Sequence, residues 1–148
     1  MSSFLKACAF LIAVLPIAVS ADDAAPLASL SELSSLDLKA ASKERPLRVT
    51  GVVTYALTNW GTLIVQDGEH SAFVEVDDQT ILPDSASAGD LIEIIGSTRS
   101  GRVKAKIHAD EIVHRGKREL PTPVPLKTLD ELTAEDWNRF VVFDGTVY

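Results

Sequence analysis

Only one cysteine, Cys8, occurs in the chain, and it lies inside an N-terminal apolar run, so neither a disulfide framework nor thiol chemistry is available to the rest of the protein. There is no G-x-S-x-G elbow, no glycine-rich nucleotide-binding box and no Cys or carboxylate cluster at metal-ligand spacing. Carboxylates occur in pairs, but none sits in a cleft-forming motif. The serines fall in leader and loop segments without a nearby histidine, so the common routes to nucleophilic hydrolysis are missing. The sequence predicts a protein that is not an enzyme, with no catalytic residues, no cofactor and no metal site.

Basic side chains are also scarce, with 14 Lys and Arg against 21 Asp and Glu and a net charge of −7. Lys6 alone precedes the apolar run Ala7 to Val19, and Val19, Ser20 and Ala21 lead into Asp22-Asp23, the layout of a secretory signal peptide cleaved after Ala21. The run is short of the roughly 20 apolar residues that span a bilayer, and Pro16 interrupts it. Lipid attachment at Cys8 fails because Lys6 stands where small apolar residues are needed. Loss of residues 1–21 removes Lys6 and leaves 13 basic against 21 acidic residues, a net charge of −8. The mature chain is expected in the periplasm or another extracytoplasmic space, without a membrane span. Its acidity opposes phosphate backbones, so no nucleic acid partner is expected.

A chain of 148 residues has room for one domain plus appendages. In residues 22–44, Leu27, Leu30, Leu33 and Leu38 fall roughly on one helical stripe, which reads as a short amphipathic helix or a loosely ordered leader. Residues 45–118 change period. Leu47, Val49, Gly51, Val53 and Tyr55 alternate with polar or outward positions in a long strand, and Gly51 marks a bulge or sharp coil. TLIVQ, the Asp67-Gly68 turn and SAFVEVD form a hairpin with Ala72, Val74 and Val76 on one face. Asp77 to Gly89 reads as a loop with one helical turn under the barrel. LIEIIGSTR and the stretch from Arg102 to Lys117 complete five strands. That pattern predicts an all-β, five-stranded OB-type Greek-key barrel, closed to avoid long apolar edges.

Residues 119–148 begin with prolines at 121, 123 and 125, a semi-extended linker. PLKTLDEL (125–132) echoes PLASLSEL (26–33), and FDGTVY (143–148) echoes VTGVVTY (49–55), so a second repeat is expected to start here. A lone first strand cannot close a barrel; this segment either docks on the first module or remains frayed.

OB barrels bind through their second and third strands and the bordering loops. Tyr55, Asn59, Trp60 and Phe73 fall near that surface and offer stacking area, although Tyr55 and Phe73 would also suit the barrel interior and Trp60 its end. Arg99, Arg102, Lys104 and Lys106 crowd one hairpin, either as a local anion site or as the solvated face of an edge strand. His108 and His114, six apart, are expected on one side of a strand but far from each other. Asp67, Glu69, Asp77 and Asp78 sit at turns for backbone reasons, with weak calcium potential.

The segments RVTGVVTYALTNWGTLIVQDGEHSAFVEV, SAGDLIEIIGSTRSGRVKAKI and ELPTPVPLKTLDELTAEDWNRFVVFDGTVY resemble the periplasmic OB-like repeats in the N-terminal sensor regions of membrane-bound bacterial histidine kinases. The resemblance covers residues 26–148. It implies a non-catalytic sensing or interaction module, the outer part of a two-component sensor. The other reading is a stand-alone periplasmic OB-fold protein that takes a small ligand or cation; a protein partner is open to either.

Overall fold

The computed structural model describes residues 25–82 and 86–145; the expected signal peptide, Pro83 and the final residues of the second repeat lie outside them. Strands form where β-branched residues alternate. β1 spans Pro46–Leu57, β2 Thr62–Asp67, β3 His70–Glu75, β4 Asp90–Ser100 and β5 Ala105–Lys117. They close in the order β1-β2-β3-β5-β4. The wall is mixed, because β3 and β5 run parallel (Val74 opposite Ile107) while the other pairs are antiparallel. This is the five-stranded OB arrangement that the strand pattern predicts.

β1 pairs with β4 from Pro46 to Val52 and with β2 from Val52 to Leu57, so one long strand serves two neighbours. The pairing is unbroken at Gly51, and the bulge falls instead at Thr54, between Val53 and Tyr55. Gly51 answers a different need. A Cβ there would lie 3.1 Å from Val65 Cβ and 3.4 Å from Leu30 Cδ1. Between β2 and β3, Gly68 takes φ 57° at the first position of a two-residue loop, where glycine is favoured. As expected, Ala72, Val74 and Val76 point into the core, and a 3-10 turn at Gln79–Ile81 sets buried Leu82 beneath the barrel.

The leader is ordered and belongs to this core. α1 (Leu30–Ser34) is capped by the Ser29 hydroxyl, which accepts from the Glu32 N–H, and α2 (Leu38–Ala41) by Asp37, which accepts from the Ala40 N–H. Leu27, Leu30 and Leu33 are buried as predicted, but Leu38 is exposed and Ala41 takes the inward place, because the break between the two helices turns the stripe. Buried Thr98 ties α2 to the wall, donating to the Ala41 carbonyl at 2.8 Å and accepting from the Arg45 N–H at 3.1 Å.

Two further departures concern β5. It begins at Ala105, because the Gly101 N–H donates to the Lys104 carbonyl and closes a turn over Gly101–Lys104. It also carries an extra residue, Asp110, since Gly96 faces Ala109 while Ile95 faces Glu111. The phase of the strand therefore flips. His108 faces outward beside Ser97, whereas His114 pairs with inward-facing Ile92, so the two histidines lie on opposite faces rather than on one.

Asp90 anchors the start of β4 while almost fully buried. Its carboxylate accepts from the Ser87 N–H at 2.8 Å and lies 2.7 Å from Lys117 Nζ and 3.3 Å from His114 Nε2. Burial pushes this carboxyl up, but the bonds from Lys117, Ser87 and His114 together outweigh it and hold the group down at about 2, from 3.8. A depressed pKa contributes stability above pH 3.8 that is lost as pH falls toward 2. Acid titration of the melting curve is expected to show a loss of about 2 kcal/mol in that window. Asp90→Asn should remove the step; an unchanged acid limb in that variant refutes the assignment.

The C-terminal segment docks on the first module instead of fraying. β6 (Val124–Leu126) and β7 (Val141–Phe143) form a short parallel ladder. Its bonding follows that of the leader with the ladder displaced: Val124 N–H donates to Phe140 O at 3.0 Å, whereas in the leader the donor to Pro46 O, at 2.9 Å, is Leu27, whose counterpart is Leu126. Lys127 N–H reaches Glu131 Oε2 at 2.8 Å as Ala28 N–H reaches Glu32 Oε2 at 2.7 Å. Burial does not repeat: Leu129, the counterpart of Leu30, is 60% exposed. Among the described residues no helix is long and apolar enough to cross a membrane.

Candidate functional site on the outer face of the barrel

Alternation decides which side chains reach the outside of β2 and β3. Leu63, Val65, Ala72 and Val74 are buried inside, leaving Ile64, Gln66, Ser71 and Phe73 outward. The bulge at Thr54 adds Tyr55 to this outer set, because it turns the ring out of the barrel. Tyr55 lies opposite Ile64, and Ile64 opposite Phe73, so the three form a row across three strands. Tyr55 and Phe73 thus do not fill the interior. Trp60 is 74% exposed in the 3-10 turn Thr58–Trp60 between β1 and β2, and does not cap the barrel end; the Asn59 carbonyl accepts from Gln79 Nε2.

The basic residues gather at the far end of that row. β5 lies between β3 and β4 in a closed wall, so they do not decorate an edge strand. Glu75 compensates two of them, with Lys106 Nζ at 2.5 Å and Arg99 Nη1 at 3.6 Å. Lys104 donates to the Glu135 carbonyl at 2.7 Å, and Arg102 makes no ion pair among the described residues. Arg102 therefore keeps its charge unmatched by a carboxylate, while Lys104, after the bonds from Thr133 and the charge of Arg139, helps hold the Asp136 carboxyl below its ordinary value.

Between this turn and the aromatic row lies a cavity of about 310 Å3. Ile64, Phe73 and Ala105 line it, with Arg102, Lys104 and Lys106 at its rim and Trp137 and Asn138 completing the wall. Such a volume suits a small ligand with an apolar body. Tyr55, Asn59 and Trp60 stand outside the lining; Phe73 and three of the four predicted basic residues form part of it. Ile64 faces Phe73 because the two-residue loop is Gly68-Glu69, with Asp67 opposite His70; an Asp67-Gly68 loop would have set Ile64 opposite Ser71. Trp137 and Asn138 come from a segment with no local signal toward this face.

The next row of the same face is covered. Val52, Gln66 and Ser71 stand side by side and point outward, yet all three are buried. Residues 137–140 lie across them. The Phe140 N–H donates to Gln66 Oε1 at 2.9 Å, and Ser71 Oγ donates to the Trp137 carbonyl at 3.1 Å. Gln66 Nε2 turns to the Gly68 carbonyl at 2.8 Å, so both ends of the amide are satisfied. Among the described residues no group of three or more His, Cys, Asp and Glu is placed to hold a metal ion.

No protein-family model matches the sequence, and no curated protein matches it. Among solved structures the chain is similar to the hypothetical protein ygiW from E. coli, at 14% identity and TM-score 0.47, over 60% of this chain and 88% of that one. It is similar to the telomere capping protein Ten1 from Saccharomyces pombe, at 22% identity and TM-score 0.46, over 62% of this chain and 81% of that one. Aspartyl tRNA synthetase from Entamoeba histolytica matches at 16% identity and TM-score 0.45, over 64% of this chain and 24% of that one. These likenesses concern the fold alone.

Proposed function

We propose that this chain is an exported, non-catalytic OB-fold binding module that takes a small anionic ligand with a flat apolar body. The cavity carries the reading: Ile64, Phe73 and Ala105 give it an apolar lining, and beside them Arg102 makes no ion pair among the described residues, next to Lys104 and Lys106. A basic rim favours an anion over a cation. The barrel closes and buries its own core, which supports a self-sufficient binding module. The reading as the ectodomain of a sensor histidine kinase rests on sequence resemblance alone. Export rests on the layout of residues 1–21, and N-terminal sequencing of the exported protein should begin at Asp22.

Titration of the 15N-labelled chain with 2-naphthoate tests the pocket. Shifts are expected to cluster at Ile64, Phe73 and Ala105, and an Arg102→Ala/Lys104→Ala variant should bind about tenfold more weakly. Raised salt should weaken binding in the wild type more than in the variant. Shifts scattered over the surface, or equal affinity in the two proteins, would refute the pocket.

A further inference from the structure

The segment lying over Gln66 and Ser71 is attached in an unusual way. Each of its three bonds to the barrel runs from a barrel side chain to a strap backbone atom: Gln66 to the Phe140 N–H, Ser71 to the Trp137 carbonyl and Lys104 to the Glu135 carbonyl. Among the strap side chains, Asp136 and Arg139 are largely buried as an ion pair with each other. Trp137 is 48% exposed, and cavities of about 310 and 490 Å3 flank the strap, with Trp137 and Asn138 lining both. Barrel side chains that grip a backbone recognise its local conformation, here the 3-10 turn Ala134–Asp136 followed by the left-handed Asn138, and not a particular sequence.

Gln66 and Ser71 also need an occupant. Both are polar, outward-facing and buried, and removing the strap leaves a donor and an acceptor without these partners. Charge adds direction. Lys104 and Arg102 stand where the strap brings Glu135, and Asp136 is next in the chain, although Asp136 is matched by Arg139 at 3.3 Å.

From this we infer that the Gln66–Ser71 row is a docking site for an acidic, turn-forming segment of a partner polypeptide, and that residues 134–140 hold the place in cis. The site adjoins the proposed ligand cavity and shares Lys104 with it, while Gln66 and Ser71 stand outside the cavity lining. Docking in trans requires the strap to swing away on the proline-rich connection 119–123, which forms no secondary structure.

The test uses the full chain and a peptide with the sequence of residues 132–143. Phe140→Pro deletes the N–H that Gln66 holds while leaving every barrel residue in place. Asn138→Pro releases the strap by another route, since Asn138 has φ 68° and proline demands about −65°. Hydrogen exchange at Trp137 and Val141 should quicken in both variants while the amides of Val49 and Ile92 stay protected. NMR titration should then show the peptide shifting the Gln66 side-chain amide of the variants with a Kd of about 1 mM or tighter, and the wild type binding at least about tenfold more weakly. Adding Gln66→Ala and Ser71→Ala to either release variant should abolish the response. Equal affinity of wild type and released variants, or no movement of the Gln66 amide in either variant, overturns the inference. Naphthoate shifts at Ile64 and Phe73 in the wild type, whose docked strap walls the cavity, report separately on the ligand site, so failure of one site does not imply failure of the other.

Discussion

Gly96→Ala is expected to lower stability by about 3 kcal/mol or more, the steepest loss of any single methyl addition in the barrel. The added Cβ would sit 2.0 Å from the His108 carbonyl oxygen and 3.0 Å from the Ala109 Cα. Neither atom can retreat cheaply, because both belong to the backbone of β5 directly beside its extra residue, where Gly96 faces Ala109. Relief requires opening the β4–β5 ladder, the longest pairing in the wall. The melting temperature should fall by roughly 10 °C or more. Ser97→Ala, one position along and outward-facing, should stay within about 0.5 kcal/mol of wild type. A Gly96→Ala protein that melts with wild type would show that β4 and β5 cross more loosely than their register requires.

Leu30→Ala is expected to cost about 3 kcal/mol in urea denaturation at constant m-value. Leu30 is 1% exposed and reaches toward Gly51 through the base of the barrel. Its loss removes transfer energy and leaves a void that the closed sheet cannot collapse to fill. Leu129→Ala supplies the comparison, since that side chain holds the equivalent place in the C-terminal echo but stands in solvent. It should change little. A Leu30→Ala effect under about 1 kcal/mol would make the leader an accessory to the barrel instead of part of its core. Leu30→Ala also clears the space that a Gly51 Cβ would enter, so Leu30→Ala/Gly51→Ala should cost less than the two single changes together.

The strands and turns of the barrel are legible in the sequence because their causes are local. Alternating β-branched residues mark the strands, and Asp67-Gly68 marks a tight turn. What escapes a sequence reading is where alternation slips. Nothing local at Thr54 or Asp110 announces an extra residue; each bulge is settled by the partner strand, through Ile64 in one case and Gly96 in the other. Tyr55 and Phe73 stand among the outer-face candidates by residue type, with the interior left open to both; the slips at Thr54 and Asp110 decide the facing of Tyr55 and of the two histidines. The leader stripe holds at Leu27, Leu30 and Leu33 and fails at Leu38, where a second cap at Asp37 restarts the helix. The site is legible only in part. Phe73 and the basic turn stand out by residue type, whereas the cover over Gln66 depends on Phe140, distant in the chain, and only the folded topology joins them.

The unpaired residue in β1 has a consequence for insertions and deletions. Side chains on a strand obey an odd-even count, and at Thr54 that count changes parity. Excising this one codon would set Tyr55 directly after Val53 and still opposite Ile64, so the ladder would run without a slip and the phenol would keep its place in the outer row. A frame-preserving deletion of three nucleotides is thus harmless to facing at this codon, whereas the same deletion in an unbulged stretch of the strand would exchange the side that recognises and the side that packs for every residue beyond it.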